Sequence, residues 1–468
     1  MKIEQIYTGC LSEAAYYIES EGESVIIDPL REVEPYIEKA KENNSQIKYI
    51  LETHFHADFV SGHVELAKKT GAIIVFGPHA KTEFKFKQVE DGEIISVGKI
   101  KIKAIHTPGH TIESTCYLLI DEKGVERALF SGDTLFIGDV GRPDLAVKSN
   151  LTKEDLAGLL FDSLRNKILP LDNEIIVYPA HGAGSACGKN ISKETFDLLG
   201  NQKQTNYALN KNLKKEDFIK EVLDGILPPP QYFPKNVKLN KTTINKSVEE
   251  VINTGSKPLS IQDFDTEVRK GALILDVRHQ KDFVKGFIPG SWFIGIDGGF
   301  APWVGSLIKD INQKIVIVCP EGREEEVVTR LARVGYDNSV GFLKGSFLSW
   351  EKTGRKKDII IQETAEELEE KNKNRINILD VRKSTEYNIE HIESAQNKPL
   401  NDLFNHYKEI DQEKTYHIHC AGGYRSVIYI SILKSKGYKN LIDVIGGYAA
   451  IKRTNIPKTE FVCSNTKN

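Results

Sequence analysis

Through the first two hundred residues the apolar positions fall in short runs, 24–28, 49–52, 73–76, 99–105, 128–131 and 175–178, each closed by a polar or glycine-containing segment. Runs of that length bounded by turn residues predict strands. Two stretches, 33–43 and 151–167, carry the spacing of helices instead. Strands interleaved with helices predict an α/β or layered αββα domain, with chemistry placed at the strand ends. Residues 192–255 then turn polar and rich in Asn and Lys, interrupted by Pro228-Pro229-Pro230, so a helical tail followed by a linker is expected.

Beyond the linker the chain repeats itself. Leu275-Asp276-Val277-Arg278 recurs 104 residues later as Leu379-Asp380-Val381-Arg382, and Gly335-Tyr336 recurs 102 residues later as Gly437-Tyr438. Each copy alternates strands with helices, which predicts two small parallel-sheet α/β domains. The organisation expected is thus 1–245, 256–356 and 357–468.

Composition narrows the function. A chain of 468 residues with 40% hydrophobic positions can bury several cores. Lys+Arg 63 against Asp+Glu 66 leaves a formal charge of -3, and no basic run is long enough to hold nucleic acid or an anionic membrane. Small molecules are the expected partners, with self-association left open. The first thirty residues carry Glu13, Glu19, Glu21 and Glu23 rather than a basic region followed by an apolar one, so a cytoplasmic location is expected. The six cysteines, Cys10, Cys116, Cys187, Cys319, Cys420 and Cys463, form no CxxC pair, so a functional one should act alone as a thiolate.

Four clusters carry candidate metal ligands. Thr53-His54-Phe55-His56-Ala57-Asp58 follows an apolar strand, and alternate residues of an extended turn can aim His54, His56 and Asp58 into one pocket. His106-Thr107-Pro108-Gly109-His110-Thr111, Ser131-Gly132-Asp133 and Tyr178-Pro179-Ala180-His181-Gly182 each add a His or Asp at or just after a strand end. Single histidines in such places are commonly hydrogen-bonded turn residues, but four clusters in this order point to a shared site. Through its HxHxD, TPGHT, SGD and PAHG motifs this part of the chain resembles the metallo-β-lactamase superfamily, which implies an αββα sandwich. Members that bind two metals have a His after the Asp of HxHxD, where this chain has Phe59. A mononuclear zinc hydrolase and a mononuclear iron oxygenase then remain. The segment Gly138-Asp139-Val140-Gly141-Arg142-Pro143-Asp144-Leu145 is similar to the persulfide dioxygenase branch. That resemblance implies one Fe(II) per chain held by His54, His110 and Asp133, with His56, Asp58 and His181 orienting ligands or a water. Two imidazoles and a carboxylate leave room for a substrate sulfur and O2 together. Arg142 is a candidate clamp for a carboxylate of the thiol carrier. Cys187, soon after His181, is a candidate sulfur relay or a small buried thiol.

A second chemistry lies near the end of the chain. A strand at 415–419 runs into Cys420-Ala421-Gly422-Gly423-Tyr424-Arg425-Ser426 and then a helical run. Backbone N–H groups freed by glycine, the positive end of a helix and the Arg425 charge all favour a thiolate at Cys420. Gly422, Gly423, Tyr424 and Ser426 are the expected substrate-contacting positions. The loop and its Leu-Asp-Val-Arg strand resemble the rhodanese family. In the middle repeat the corresponding Cys319-Pro320-Glu321-Gly322-Arg323-Glu324-Glu325 is one residue short and carries three acids, so it is expected to be a spacer or docking surface rather than a second catalyst.

Together the resemblances imply oxidation of a low-molecular-weight thiol persulfide by O2 to sulfite and free thiol, coupled to transfer of sulfane sulfur among persulfide, sulfite and thiosulfate by Cys420. A glyoxalase II-like zinc thioesterase with an accessory rhodanese domain is the alternative, and a non-catalytic persulfide carrier or sensor a second.

Overall fold

The computed structural model describes residues 1–146, 151–226, 228–243, 246–373 and 375–462; Cys463 lies outside them. The chain divides into two compact units, Met1–Glu250 with Thr329–Tyr336, and Val251–Val328 with Asp337–Asn468.

The first unit is built on two sheets of six strands. One runs in the order β1 (Lys2–Thr8), β2 (Glu13–Ser20), β3 (Glu23–Ile27), β4 (Gln46–Leu51), β5 (Ile73–Phe76) and β6 (Lys87–Gln88). The other contains β7 (Ile94–Val97), β8 (Ile100–His106), β9 (Thr115–Ile120), β10 (Glu126–Gly132), β11 (Ile176–Pro179) and β12 (Asp197–Leu198), again in sequential adjacency. Side chains alternate across each strand, and the alternation assigns the layers. Ala14, Tyr16 and Ile18 face the second sheet and meet Ile102, Tyr117, Leu119 and Phe130 between the sheets. Ala15 and Tyr17 face the other way, toward helices α1 (Glu34–Glu42) and α2 (His63–Thr70), where they meet Tyr36, Ala40 and Leu66. On the far side Cys116, Leu118 and Leu129 pack on Ala157 and Leu160 of α3 (Lys153–Ser163). Helix α3 starts where a Thr152–Asp155 capping box satisfies its first free N–H groups. The result is the expected αββα sandwich. Fully buried side chains of this size contribute roughly 1.5–3 kcal/mol each.

Helices continue to the end of the stretch 192–255, where a helical tail and then a linker were expected. The stretch contains helices Leu199–Thr205, Lys215–Leu223, Phe233–Lys241 and Val248–Gly255. Phe218 and Val222 complete the core beside α3, and Asn240 is buried.

The second unit holds two five-stranded sheets of one topology. Strands β13 (Pro258–Leu259), β14 (Leu273–Asp276), β15 (Trp292–Phe293), β16 (Ile315–Val318) and β17 (Ser339–Leu343) lie in the order β13-β17-β16-β14-β15. Strands β18 (Ile361–Glu363), β19 (Asn377–Asp380), β20 (Ala395–Asn397), β21 (Tyr416–His419) and β22 (Leu441–Val444) repeat it as β18-β22-β21-β19-β20. Every pairing in both sheets is parallel. The repeated Leu-Asp-Val-Arg has a structural cause in each copy. Buried Asp276 receives Nε and Nη2 of Arg278 at 2.9 and 2.6 Å, and buried Asp380 receives Nε of Arg382 at 2.9 Å. The same arginines donate to Gly286 O and Glu390 O, tying each strand end to the loop that follows.

Candidate active sites

The strands of the sandwich deliver four clusters to one place. The HxHxD turn leaves β4, the His110 turn leaves β8, Asp133 follows β10 and His181 follows β11. His54 Nε2 stands 3.7 Å from Asp133 Oδ2, and His110 Nε2 stands 3.4 Å from the same oxygen. On the other side of Asp133, His181 Nε2 lies 3.5 Å from Oδ1 and 3.6 Å from Asp58 Oδ2. His54, His110 and Asp133 therefore share one focus and His56, Asp58 and His181 an adjoining one, the donor atoms of each group within 4.8 Å of one another and all six residues buried. Donors held about 2.1 Å from one ion stand about 3–3.5 Å apart, close to these separations.

The electrostatics fit a cation. Both oxygens of Asp133, both ring nitrogens of His181 and Asp58 Oδ1 have no hydrogen-bond partner among the described residues. A buried carboxylate left so is costly unless a positive charge completes it. Burial holds the pKa of His54 well below the ordinary histidine range, with His56 and His110 adding to the effect, and burial also lowers that of His110, so both rings are neutral and able to donate. Their Nδ1 atoms are occupied by Thr53 Oγ1 at 3.0 Å and Arg142 O at 2.9 Å, which turns Nε2 of each toward Asp133.

His56 is turned partly away. Its Nε2 is 3.1 Å from Asp28 Oδ1 and 3.5 Å from Glu52 Oε2, and its ring stacks on Phe59 at 4.3 Å. Burial alone would lower its pKa, but Asp28, Glu52 and Asp58 outweigh that and raise it to about 10. Phe59 is fully buried and puts an apolar ring beside His56 and His181.

Three further residues hold this turn. Asp28 accepts from Thr53 N and Oγ1 at 2.7 and 2.8 Å. Glu52 accepts from Ser61 Oγ. Asn240 Nδ2 donates to His56 O and Phe59 O, and its Oδ1 accepts from Ser61 N, all at 2.8 Å. Asn240 lies in the expected helical tail, where an Asn among lysines carries no signal of burial.

Arg142 is buried, with Nε and Nη2 on the two oxygens of Asp144 at 2.6 and 2.7 Å. Two residues apart on one loop, the pair satisfies itself before a substrate arrives. Cys187 is buried, and its Sγ forms a group with Asp133 and His181 within 4.8 Å. Burial, then Asp58 and Asp133, push its thiol well above the usual range.

In the second unit Cys420 follows β21 and precedes the helix Tyr424–Ser435. Gly423 N donates to Cys420 Sγ at 3.1 Å, and Ser426 Oγ lies 3.7 Å from it. Gly423 has φ +96, which glycine adopts freely. A Cβ on Gly447 would meet Cys420 O at 2.4 Å, so the next turn also needs glycine. Arg425 does not face the sulfur alone, because its fork binds Glu386 at 2.6 and 2.8 Å and part of its charge is spent there. The Tyr424 hydroxyl donates to Gly295 O at 3.0 Å. In the middle repeat Cys319 is buried, no donor reaches its sulfur among the described residues, and burial with Glu324 and Asp276 pushes it up to about 12.

Comparison with known proteins agrees with this architecture. The metallo-β-lactamase superfamily model matches residues 8–181, and the rhodanese-like domain model matches 260–353 and 362–454. A metallo-β-lactamase from Staphylococcus aureus subsp. aureus COL is 32% identical, covers 73% of this chain and 98% of its own, and superposes with a TM-score of 0.65. A hydroxyacylglutathione hydrolase of Francisella philomiragia subsp. philomiragia is 34% identical over 197 residues, 42% of this chain and 71% of the relative. The structure of ETHE1 from Myxococcus xanthus is 27% identical, covering 51% of this chain and all of its own, with a TM-score of 0.43. The chain belongs to the metallo-β-lactamase superfamily and carries two rhodanese-like domains after the sandwich. Both kinds of domain support an enzyme with metal-site and sulfur-transfer chemistry.

Proposed function

We propose that the chain oxidises a low-molecular-weight thiol persulfide with O2 and water to sulfite and the free thiol, at a single Fe(II) in the sandwich, and moves sulfane sulfur through Cys420. The observation that carries this reading is the set of two neutral imidazoles and one carboxylate sharing a focus, with Phe59 and a carboxylate-paired His56 beside it. Bound there by His54, His110 and Asp133, iron would supply open positions for a sulfur donor and O2 together. Thr53 and Arg142 O hold the two rings in one tautomer and orientation, and buried Phe59 keeps water from one wall of the site. The nearness of the Cys187 sulfur to Asp133 and His181 supports reading it as a candidate to receive sulfur there. At the other site Gly423 N–H and the helix behind it stabilise a Cys420 thiolate and, after transfer, a Cys420 persulfide anion. Attack by sulfite on its outer sulfur breaks the S–S bond, returning the Cys420 thiolate and thiosulfate.

Anaerobic purification with metal analysis, followed by persulfide-dependent O2 uptake, tests the first half. About one iron per chain and loss of both iron and uptake in His110→Ala are expected. A second reading, thioester hydrolysis at a zinc site, is favoured by the name of the Francisella relative, a hydroxyacylglutathione hydrolase. Two zinc ions per chain with thioester hydrolysis and no oxygen uptake would establish that instead.

A further inference from the structure

The middle repeat has a buried thiol that no donor activates, yet it reaches into the loop of the repeat that follows. The helix Tyr424–Ser435 presents three residues to it, at spacings of seven and four that fall on one face. Tyr424 Oη donates to Gly295 O at 3.0 Å, Ser431 Oγ accepts from Phe293 N at 2.9 Å, and Ser435 Oγ accepts from Trp292 Nε1 at 2.9 Å. Strand β15, Trp292–Phe293, is an edge strand of its sheet, so the Phe293 N–H is free of a sheet partner on that side and takes a serine instead. The Phe293 ring meets the Tyr424 ring edge-on at 5.7 Å.

The tyrosine sits in a notch that glycine at position 298 permits. A Cβ on Gly298 would lie 2.4 Å from both Cζ and Oη of Tyr424, whereas one on Gly295 would make ordinary contact with its Cε2 at 3.4 Å. Tyr424 directly follows Gly423, whose N–H reaches the Cys420 sulfur. Where the ring is held, the peptide that points this N–H at sulfur is held too.

We infer that the middle repeat serves as a positioning element for the Cys420 loop, gripping Tyr424 through Gly295 O in a notch kept open by Gly298. Tyr424 is then a positioning residue that acts through Gly423, and the loss of chemistry at Cys319 is compatible with retention of the repeat. This rests on the reading of Cys420 as the sulfurtransfer nucleophile.

Thiosulfate sulfurtransfer and the pH dependence of iodoacetamide alkylation at Cys420 are measured in full-length Gly298→Ala, Tyr424→Phe, the double variant and Cys420→Ser, with thermal unfolding alongside. Gly298→Ala should lower kcat by about a hundredfold, the scale of a misplacement near one ångström, and move the alkylation midpoint to higher pH. Tyr424→Phe, which keeps the ring and drops one hydrogen bond, should fold normally and lower kcat by about fivefold. Removing Oη also removes one of the three Tyr424 atoms the new methyl would strike. The double variant should therefore be no worse than Gly298→Ala alone. Wild-type kcat and alkylation profiles in both single variants overturn the inference, as do additive losses in the double variant. Sulfurtransfer that survives in Cys420→Ser overturns instead the assignment of Cys420 on which it rests.

Discussion

His110 and Asp133 depend on a neighbour with no side chain. A Cβ on Gly141 would lie 2.1 Å from Asp133 O and 2.9 Å from His110 Nδ1, so the backbone approaches both ligands closer than alanine allows. Gly141→Ala should displace the loop that receives the His110 Nδ1–H and cut iron content at least tenfold; plasma emission spectroscopy on the purified variant checks it. Unchanged iron would show that the loop moves without disturbing the ligands. The same scale separates the two rhodanese thiols. With Cys319 pushed up to about 12, its thiolate fraction at pH 8 is about one in ten thousand, and it rises only as pH climbs toward that value. Cys319→Ser should therefore leave sulfurtransfer between pH 6 and 9 within about twofold of wild type. A larger loss in rates measured with thiosulfate and cyanide would make the middle repeat a catalyst.

At the scale of elements, what was legible in the sequence is what local pattern encodes. The four metal-binding motifs stand at strand ends because a sandwich delivers its loops to one edge, and the Leu-Asp-Val-Arg repeat marked two sheets whose strand order proves identical. Strand β2 was invisible to alternation because both its faces are covered, leaving Glu13 to Ser20 almost wholly buried. Asn240 was hidden for the opposite reason, a polar residue in a polar stretch that folds back to bind His56 O, Phe59 O and Ser61 N. That Gly295 engages Tyr424 and Asp144 engages Arg142 could not be read from loop position alone. Helix Phe233–Lys241 thus belongs to the site it latches. Asn240→Ala leaves two carbonyls and one N–H of the HxHxD turn without their partner, a loss of about 2–4 kcal/mol. A fall in thermal midpoint with reduced iron retention is expected, and Asn240→Asp, which keeps the bond from Ser61 N but turns a buried acceptor oxygen toward His56 O and Phe59 O, should recover none of it. Equal stability of wild type and Asn240→Ala would remove the helix from the site.

Across the whole molecule the two candidate centres rest on separate cores, His54, His110 and Asp133 among the strands of the sandwich and Cys420 at the end of β21. No helix among the described residues is long and apolar enough to cross a membrane, and the formal charge of -3 gives no strong field to gather a polyanion. Under the proposed function, tethering alone would raise the local concentration of one centre's product for the other, with no new contact required. If each centre works independently, Cys420→Ser should leave iron content and persulfide-dependent oxygen uptake within about twofold of wild type, while sulfurtransfer falls by about a thousandfold or more. Sulfite should then replace thiosulfate among the products, because the thiolate that hands sulfur to sulfite is gone. His110→Ala should do the reverse, abolishing oxygen uptake and sparing transfer from added thiosulfate. Arg425→Ala should weaken transfer less than Cys420→Ser, since Gly423 N–H and the helix end remain and the Arg425 fork is already shared with Glu386. Chromatography of thiol-labelled products resolves sulfite from thiosulfate in one run. If Cys420→Ser stops oxygen uptake as fully as His110→Ala does, sulfur must pass through both centres in one obligatory relay, and independent working of the two centres is excluded.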